Sequence, residues 1–102
     1  MKYQLIYEPE ARQDLFDLYW YIAQGGHPER AFAYIARLEA YCDSLAVFPS
    51  RGNQVNDVRE GLRRVGFERL VSVAFSVVGD TVRILRILYG GRQFSEQDAE
   101  GK

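Results

Sequence analysis

The run Val82-Arg83-Ile84-Leu85-Arg86-Ile87-Leu88 constrains the fold more than any other stretch of the chain. It is apolar and rich in β-branched residues, and only Arg83 and Arg86 interrupt it. An amphipathic helix does not read this way, whereas a central strand of a sheet does. A second strand-like run, Leu70 to Val78, precedes it, and Gly79-Asp80 lies between the two. Two turn-forming residues between two such runs predict a β-hairpin, with Gly79 supplying the positive φ of a type I′ or II′ turn. Tyr89, Gly90, Gly91 and Arg92 then fall where the chain leaves the sheet.

The preceding residues predict what covers that sheet. Lys2 to Tyr7 alternates and reads as a first strand whose pairing the sequence leaves open. Pro9 and Glu10 suit the first turn of a helix. From Glu10 to Gln24 the stripe Ala11, Leu15, Leu18 and Ile22 has helical spacing, widened by Phe16, Tyr19, Trp20 and Ala23. Arg12, Asp14 and Asp17 are placed outside that stripe. Gly25-Gly26 ends the helix and Pro28 opens a second, expected over Pro28 to Val47 with the stripe Ala31, Ile35, Leu38, Cys42 and Leu45. The short link makes an antiparallel helix hairpin, and its apolar face needs the sheet. Phe48 to Asn53 reads as loop, Gln54 to Glu60 as irregular, and Gly61 to Val65 as a short strand. Residues 93–102 read as a frayed polar tail. The fold class expected is α+β in two layers, with a helix hairpin packed on a largely antiparallel sheet in the order β-α-α-β-β-β, as one domain over residues 1–102.

Composition excludes several classes. With 47% hydrophobic and 26% charged residues the chain is globular rather than disordered. Cys42 is the sole cysteine, so neither an intrachain disulfide nor a cysteine-based zinc site can form. The start of the chain lacks a signal-peptide core and no apolar run approaches a membrane span, so a soluble cytoplasmic protein is expected. No phosphate loop, metal-ligand cluster or nucleophile triad is visible, and no cofactor is expected. His27 reads as a turn histidine and Cys42 as a core residue. The net charge of −1 conceals a division. From Arg59 to Arg92 seven arginines face three carboxylates, a local +4, whereas the segment before Arg51 has four cations against seven carboxylates, a local −3. The basic half can meet an acidic partner or a phosphate backbone, or its arginines can simply guard a sheet edge.

Several local features recur in this order: Tyr7-Glu8-Pro9-Glu10-Ala11 followed by Asp14-Leu15, and Tyr21-Ile22 late in the first helix. Cys42-Asp43-Ser44-Leu45 leads into Phe48-Pro49-Ser50-Arg51-Gly52; Glu60-Gly61-Leu62-Arg63 and Ile84 to Arg92 follow. Together they resemble the ParE/RelE toxin superfamily of type II toxin–antitoxin modules, also described as plasmid-stabilisation proteins. The resemblance extends nearly from the start to Arg92, and the Pro49–Gly52 loop, Gly61-Leu62-Arg63 and Leu85-Arg86 lie closer to the ParE branch. It implies a toxin silenced by a small, acidic, DNA-binding cognate antitoxin in a hetero-oligomer, with DNA gyrase as the target. The alternative it implies is RelE-like cleavage of messenger RNA on the ribosome.

Metal-free RNA cleavage needs a base, an acid and cations around the phosphorane. By position Arg92 is similar to the arginine ending the last strand of RelE-like enzymes, with Arg63, Arg64 or Arg69 as sheet cations and Tyr89 as a substitute acid or base. The titratable aromatic expected after Arg92 is absent, since Phe94 has no ionisable group, and the only lysines are Lys2 and Lys102. The ribonuclease set would thus be Arg63, Arg69, Arg92 and Tyr89. The binding surface expected for target or antitoxin is Arg59, Arg63, Arg64, Arg83, Arg86, Tyr89 and Arg92.

Overall fold

The computed structural model describes residues 3–54 and 61–89. Arg59, Arg92, the Gly90-Gly91 pair, residues 55–60 of the segment expected to be irregular and the 93–102 tail lie outside the described residues.

The elements follow the chain as β1 (Gln4–Tyr7), α1 (Pro9–Ala23), α2 (Pro28–Leu45), β2 (Asn53–Gln54), β3 (Leu62–Phe67), β4 (Val71–Val78) and β5 (Thr81–Tyr89). Each helix begins on a proline, whose missing N–H costs nothing in the first turn, and each carries a glutamate there. Gly26, at φ +87°, turns the chain between the helices. The sheet order is β1-β5-β4-β3-β2. Every pairing is antiparallel except that of β1, which runs parallel to β5. The hairpin at Gly79-Asp80 forms with Gly79 at φ +61°. The α+β two-layer expectation therefore holds, and the open question of β1 is settled by its parallel seat beside β5.

One layer of side chains joins helices to sheet. Ala11 and Leu18 of α1 and Leu38, Cys42 and Leu45 of α2 pack on Val71, Val73, Phe75, Val82, Ile84 and Ile87. Phe75 is the largest fully buried side chain, of a kind whose burial stabilises by about 1.5–3 kcal/mol. A smaller, separate cluster of Leu62, Ala74 and Leu88, with Leu85 packed against them, lies on the other face of the sheet, since Ala74 alternates with Val73 and Phe75.

Five details correct the sequence reading. Asp14 is buried, not outside the helix stripe. Phe16 and Trp20 do not widen the core but stand 59% and 56% exposed, while Leu15 and Ile22 are only half-buried. A two-residue strand, β2, pairs Asn53 with Arg64 and Gln54 with Arg63 where only loop was expected. Strand β3 continues through Gly66 to Phe67, and its turn is made by Glu68 and Arg69 at φ 48° and 65° rather than by glycine. The strand that opened the sequence reading, β5, lies one in from the edge, and β4 occupies the centre.

Candidate functional site

Strand β5 contains an irregularity that positions its arginines. Ala74 pairs with Arg86 but Phe75 with Ile84, so Leu85 is an extra residue on β5, a bulge. Strand β1 ends at the same level: Tyr7 lies opposite Ile84, and the Glu8 N–H donates to the Ile84 carbonyl at 2.9 Å. Beyond that point β5 has no strand on this side among the described residues. The Asp14 carboxylate of α1 takes its place. It accepts the Ile87 N–H at 2.9 Å, Arg86 Nε at 2.7 Å and Arg86 Nη2 at 3.0 Å. An otherwise orphaned amide and a guanidinium are thus held by one buried carboxylate.

Arg63 has an internal task as well. It pairs with Phe75, on the face turned to the helices. Its Nε donates to the Arg51 carbonyl at 2.9 Å, and its Nη2 to the carbonyls of Ser50 at 2.6 Å and Gly52 at 3.4 Å. Arg51 locks the same loop from the other end. Its Nη1 donates to Ser44 Oγ at 2.7 Å, and its guanidinium lies 5.7 Å from the Tyr41 ring and 5.6 Å from that of Phe48. Gly52 is the point of closest approach: with φ +78°, a Cβ there would lie 2.2 Å from the Arg64 carbonyl oxygen.

The remaining cations divide in two groups. Arg83 Nη1 meets Glu8 Oε2 at 2.7 Å, tying β5 to the start of α1. Arg37 makes a two-armed pair with Glu68 at 3.0 Å for both contacts, joining α2 to the β3–β4 turn. Arg64, half-buried on β3, and Arg69, exposed in the turn, have no ion-pair partner among the described residues. Of the arginines named from sequence, Arg63, Arg83 and Arg86 are thus engaged within the fold, and Arg64 and Arg69 are left to face outward.

Of the expected ribonuclease set, Arg92 lies outside the described residues, and Tyr89 and Arg63 stand well apart on the sheet. Tyr89 pairs with Val71 and Arg63 with Phe75, four residues apart on β4. That places them roughly 13 Å apart along the strands and two strand spacings, about 9.6 Å, across them. Tyr89 instead packs on Tyr21, with ring centroids 4.9 Å apart. Burial raises the pKa of Tyr7, with Cys42 adding to it, and burial raises that of Tyr34, with Glu68 adding to it. Neither phenol becomes a base near neutrality. Among the described residues no group of His, Cys, Asp and Glu side chains is placed to hold a metal ion, and no helix is long and apolar enough to cross a membrane.

The sequence reading missed an open cleft of about 420 Å³ at the end of α1, lined by Asp17, Trp20, Tyr21, Ala23, Gln24 and Tyr89. The available signal was the spacing of Asp17, Trp20 and Tyr21, which share one helix face. Placing Trp20 on the core stripe concealed it.

Cations and aromatics presented on surfaces, over a helix hairpin backed by a mixed sheet, define a small α+β domain suited to macromolecular contact. The same architecture appears in a solved structure of the chromosomal ParDE TA system from P. aeruginosa, with TM-score 0.75, 26% identity, and 86% of this chain and 96% of that chain covered. A family model for the ParE toxin of the type II toxin-antitoxin system parDE matches residues 5–94, and the chain belongs to that family. No curated protein matches it.

Proposed function

We propose that the chain is the toxin of a parDE-type pair, silenced by a cognate ParD-type antitoxin and acting in the cytoplasm on DNA gyrase by binding rather than by cutting RNA. The observation that carries this reading is the employment of the sheet cations. A ribonuclease surface needs cations free to follow charge developing on a phosphate. Here Arg63, the sheet cation of the expected ribonuclease set, is spent on three loop carbonyls, and Arg86, a sheet cation outside that set, is held by a buried carboxylate. These arginines shape a rigid surface, and Arg64 and Arg69 remain for an acidic partner. Membership of the ParE family over residues 5–94 supports the same choice over a RelE-like activity.

The test is induced expression without the antitoxin, followed by assays with purified components. The expected result is DNA damage in cells, cleaved DNA trapped on gyrase in vitro, and continued translation. Cut messenger RNA on ribosomes, with gyrase unaffected, would refute the proposal and restore the ribonuclease alternative.

A further inference from the structure

We infer that the cleft at the end of α1 is a receptor for a single cationic side chain, an arginine presented by the antitoxin. This rests on the antitoxin reading above and adds to it a basic contact on the acidic half of the toxin. Three independent features of the cleft favour a positive charge. The first is its aromatic lining, Trp20, Tyr21 and Tyr89, whose ring faces attract a guanidinium. The second is Asp17, an exposed carboxylate in the same lining, held by Gln13 Nε2 at 2.9 Å. The third is the helix itself. Trp20, Tyr21 and Ala23 form the last turn of α1, where the dipole is negative, and no basic residue occupies that turn.

Among the described residues no cation lines the cleft, so none of them meets its electrostatic demand. Its volume of about 420 Å³ lies toward the small end of ligand sites, roughly 300–1,000 Å³, and suits one side chain rather than a helix face. The tilted Tyr21–Tyr89 pair, one ring from α1 and one from the end of β5, makes a wall whose two halves are fixed by different elements. Arginine fits better than lysine because its planar guanidinium stacks on rings while its N–H fork reaches a carboxylate. Trp20, 56% exposed, becomes a buried anchor on binding, the role in which Trp contributes most at interfaces.

Trp20 is the only tryptophan, so its fluorescence reports occupancy directly. The full-length toxin is titrated with N-acetyl-arginine amide and, separately, with the neutral isostere N-acetyl-citrulline amide. The expected result is saturable change with the arginine compound, at a dissociation constant on the order of 10 mM, and none with citrulline. Asp17→Asn, which keeps the shape of an exposed side chain, is expected to weaken binding about three- to tenfold. In complex with the protein encoded by the neighbouring reading frame, Asp17→Asn and Trp20→Leu are each expected to cost tenfold or more in affinity, and the antitoxin arginine to protect Trp20 from quenching by iodide. Equal responses to arginine and citrulline, or no saturation by about 100 mM, would overturn the cation site. Saturable arginine binding with unchanged antitoxin affinity in both variants would overturn the antitoxin as occupant. Concentration-dependent self-association abolished by Trp20→Leu would do the same by naming a second copy. Failure of the neighbouring protein to bind at all refutes the antitoxin reading itself, an outcome separate from the titration.

Discussion

Replacing Asp14 tests whether a carboxylate stands in for a missing strand. Asp14 is 5% exposed and the Arg86 side chain 14%, so the pair is screened little by water. Asp14→Ala removes the acceptor of three donors: Arg86 Nε, Arg86 Nη2 and the Ile87 N–H. Breaking one side of a buried ion pair costs about 3–5 kcal/mol. Because Arg86 is slightly exposed and makes further interactions, we place the loss near the lower end, about 3 kcal/mol. Domains of this size are stable by about 5–15 kcal/mol, so the loss is a large fraction of the total. It corresponds to a fall in melting temperature of at least about 12 °C.

The assay is urea unfolding followed by Trp20 fluorescence and circular dichroism, with thermal melts alongside. The paired replacement Asp14→Leu with Arg86→Met separates two contributions. Exchanging both charges for apolar groups recovers the cost of the broken pair. It leaves the buried Ile87 amide without an acceptor, so about 1–3 kcal/mol of loss should persist. Asp14→Asn retains one acceptor and should fall between Asp14→Ala and the wild type. A loss below about 1 kcal/mol in Asp14→Ala would refute the reasoning, because exposed pairs account for that much. Full recovery in the double variant would show that the Ile87 amide bears no cost, and that the carboxylate serves Arg86 alone.

Three further outcomes follow from the same geometry. Gly52→Ala places a Cβ 2.2 Å from the Arg64 carbonyl at φ +78°, and urea unfolding should show a loss above about 2 kcal/mol, with the Ser50–Gly52 loop exchanging its amides faster. Burial pushes the Cys42 thiol up to about 11 from 9.0, so the folded state holds its proton more tightly than the unfolded chain; the stability this contributes is complete below pH 9 and lost as pH rises toward 11, a slope that urea midpoints should show and Cys42→Ala should flatten. Arg64→Glu together with Arg69→Glu should leave the melting temperature nearly unchanged while weakening antitoxin association and reducing its dependence on salt, measured by titration at two ionic strengths.

What was legible in the sequence was whatever depended on neighbours along the chain. Pro9 and Pro28 mark the helix starts because a proline's effect is confined to its own turn. Gly79-Asp80 marks the hairpin because two residues suffice to reverse the strand. The two-residue β2 was invisible, since its pairing is set by β3 and not by its own residues. The exposed Phe16 and Trp20 were misassigned because an interface stripe and a core stripe have the same spacing on a helix.

The deeper difficulty lay with charge. A count of +4 in the second half treats every arginine as available, but availability is a tertiary property. Arg86 meets Asp14 across 72 positions of sequence, and Arg83 meets Glu8 across 75. Asp14 itself is buried because β1 stops at Tyr7 and a bulge at Leu85 leaves the Ile87 amide in need of an acceptor. No periodicity in α1 encodes that need. The basic half and the acidic half of the chain therefore neutralise each other partly within the fold, through Glu8 and Asp14. Among the described residues, the charges without an ion pair that bear on this surface include the cations Arg64 and Arg69 and the carboxylate Asp17 among aromatic rings. A partner complementary to this surface must carry both signs of charge, acidic groups for the sheet and a basic group for the end of α1. That requirement selects among partners more sharply than a uniformly acidic tail would, since each wrong charge meets a like one.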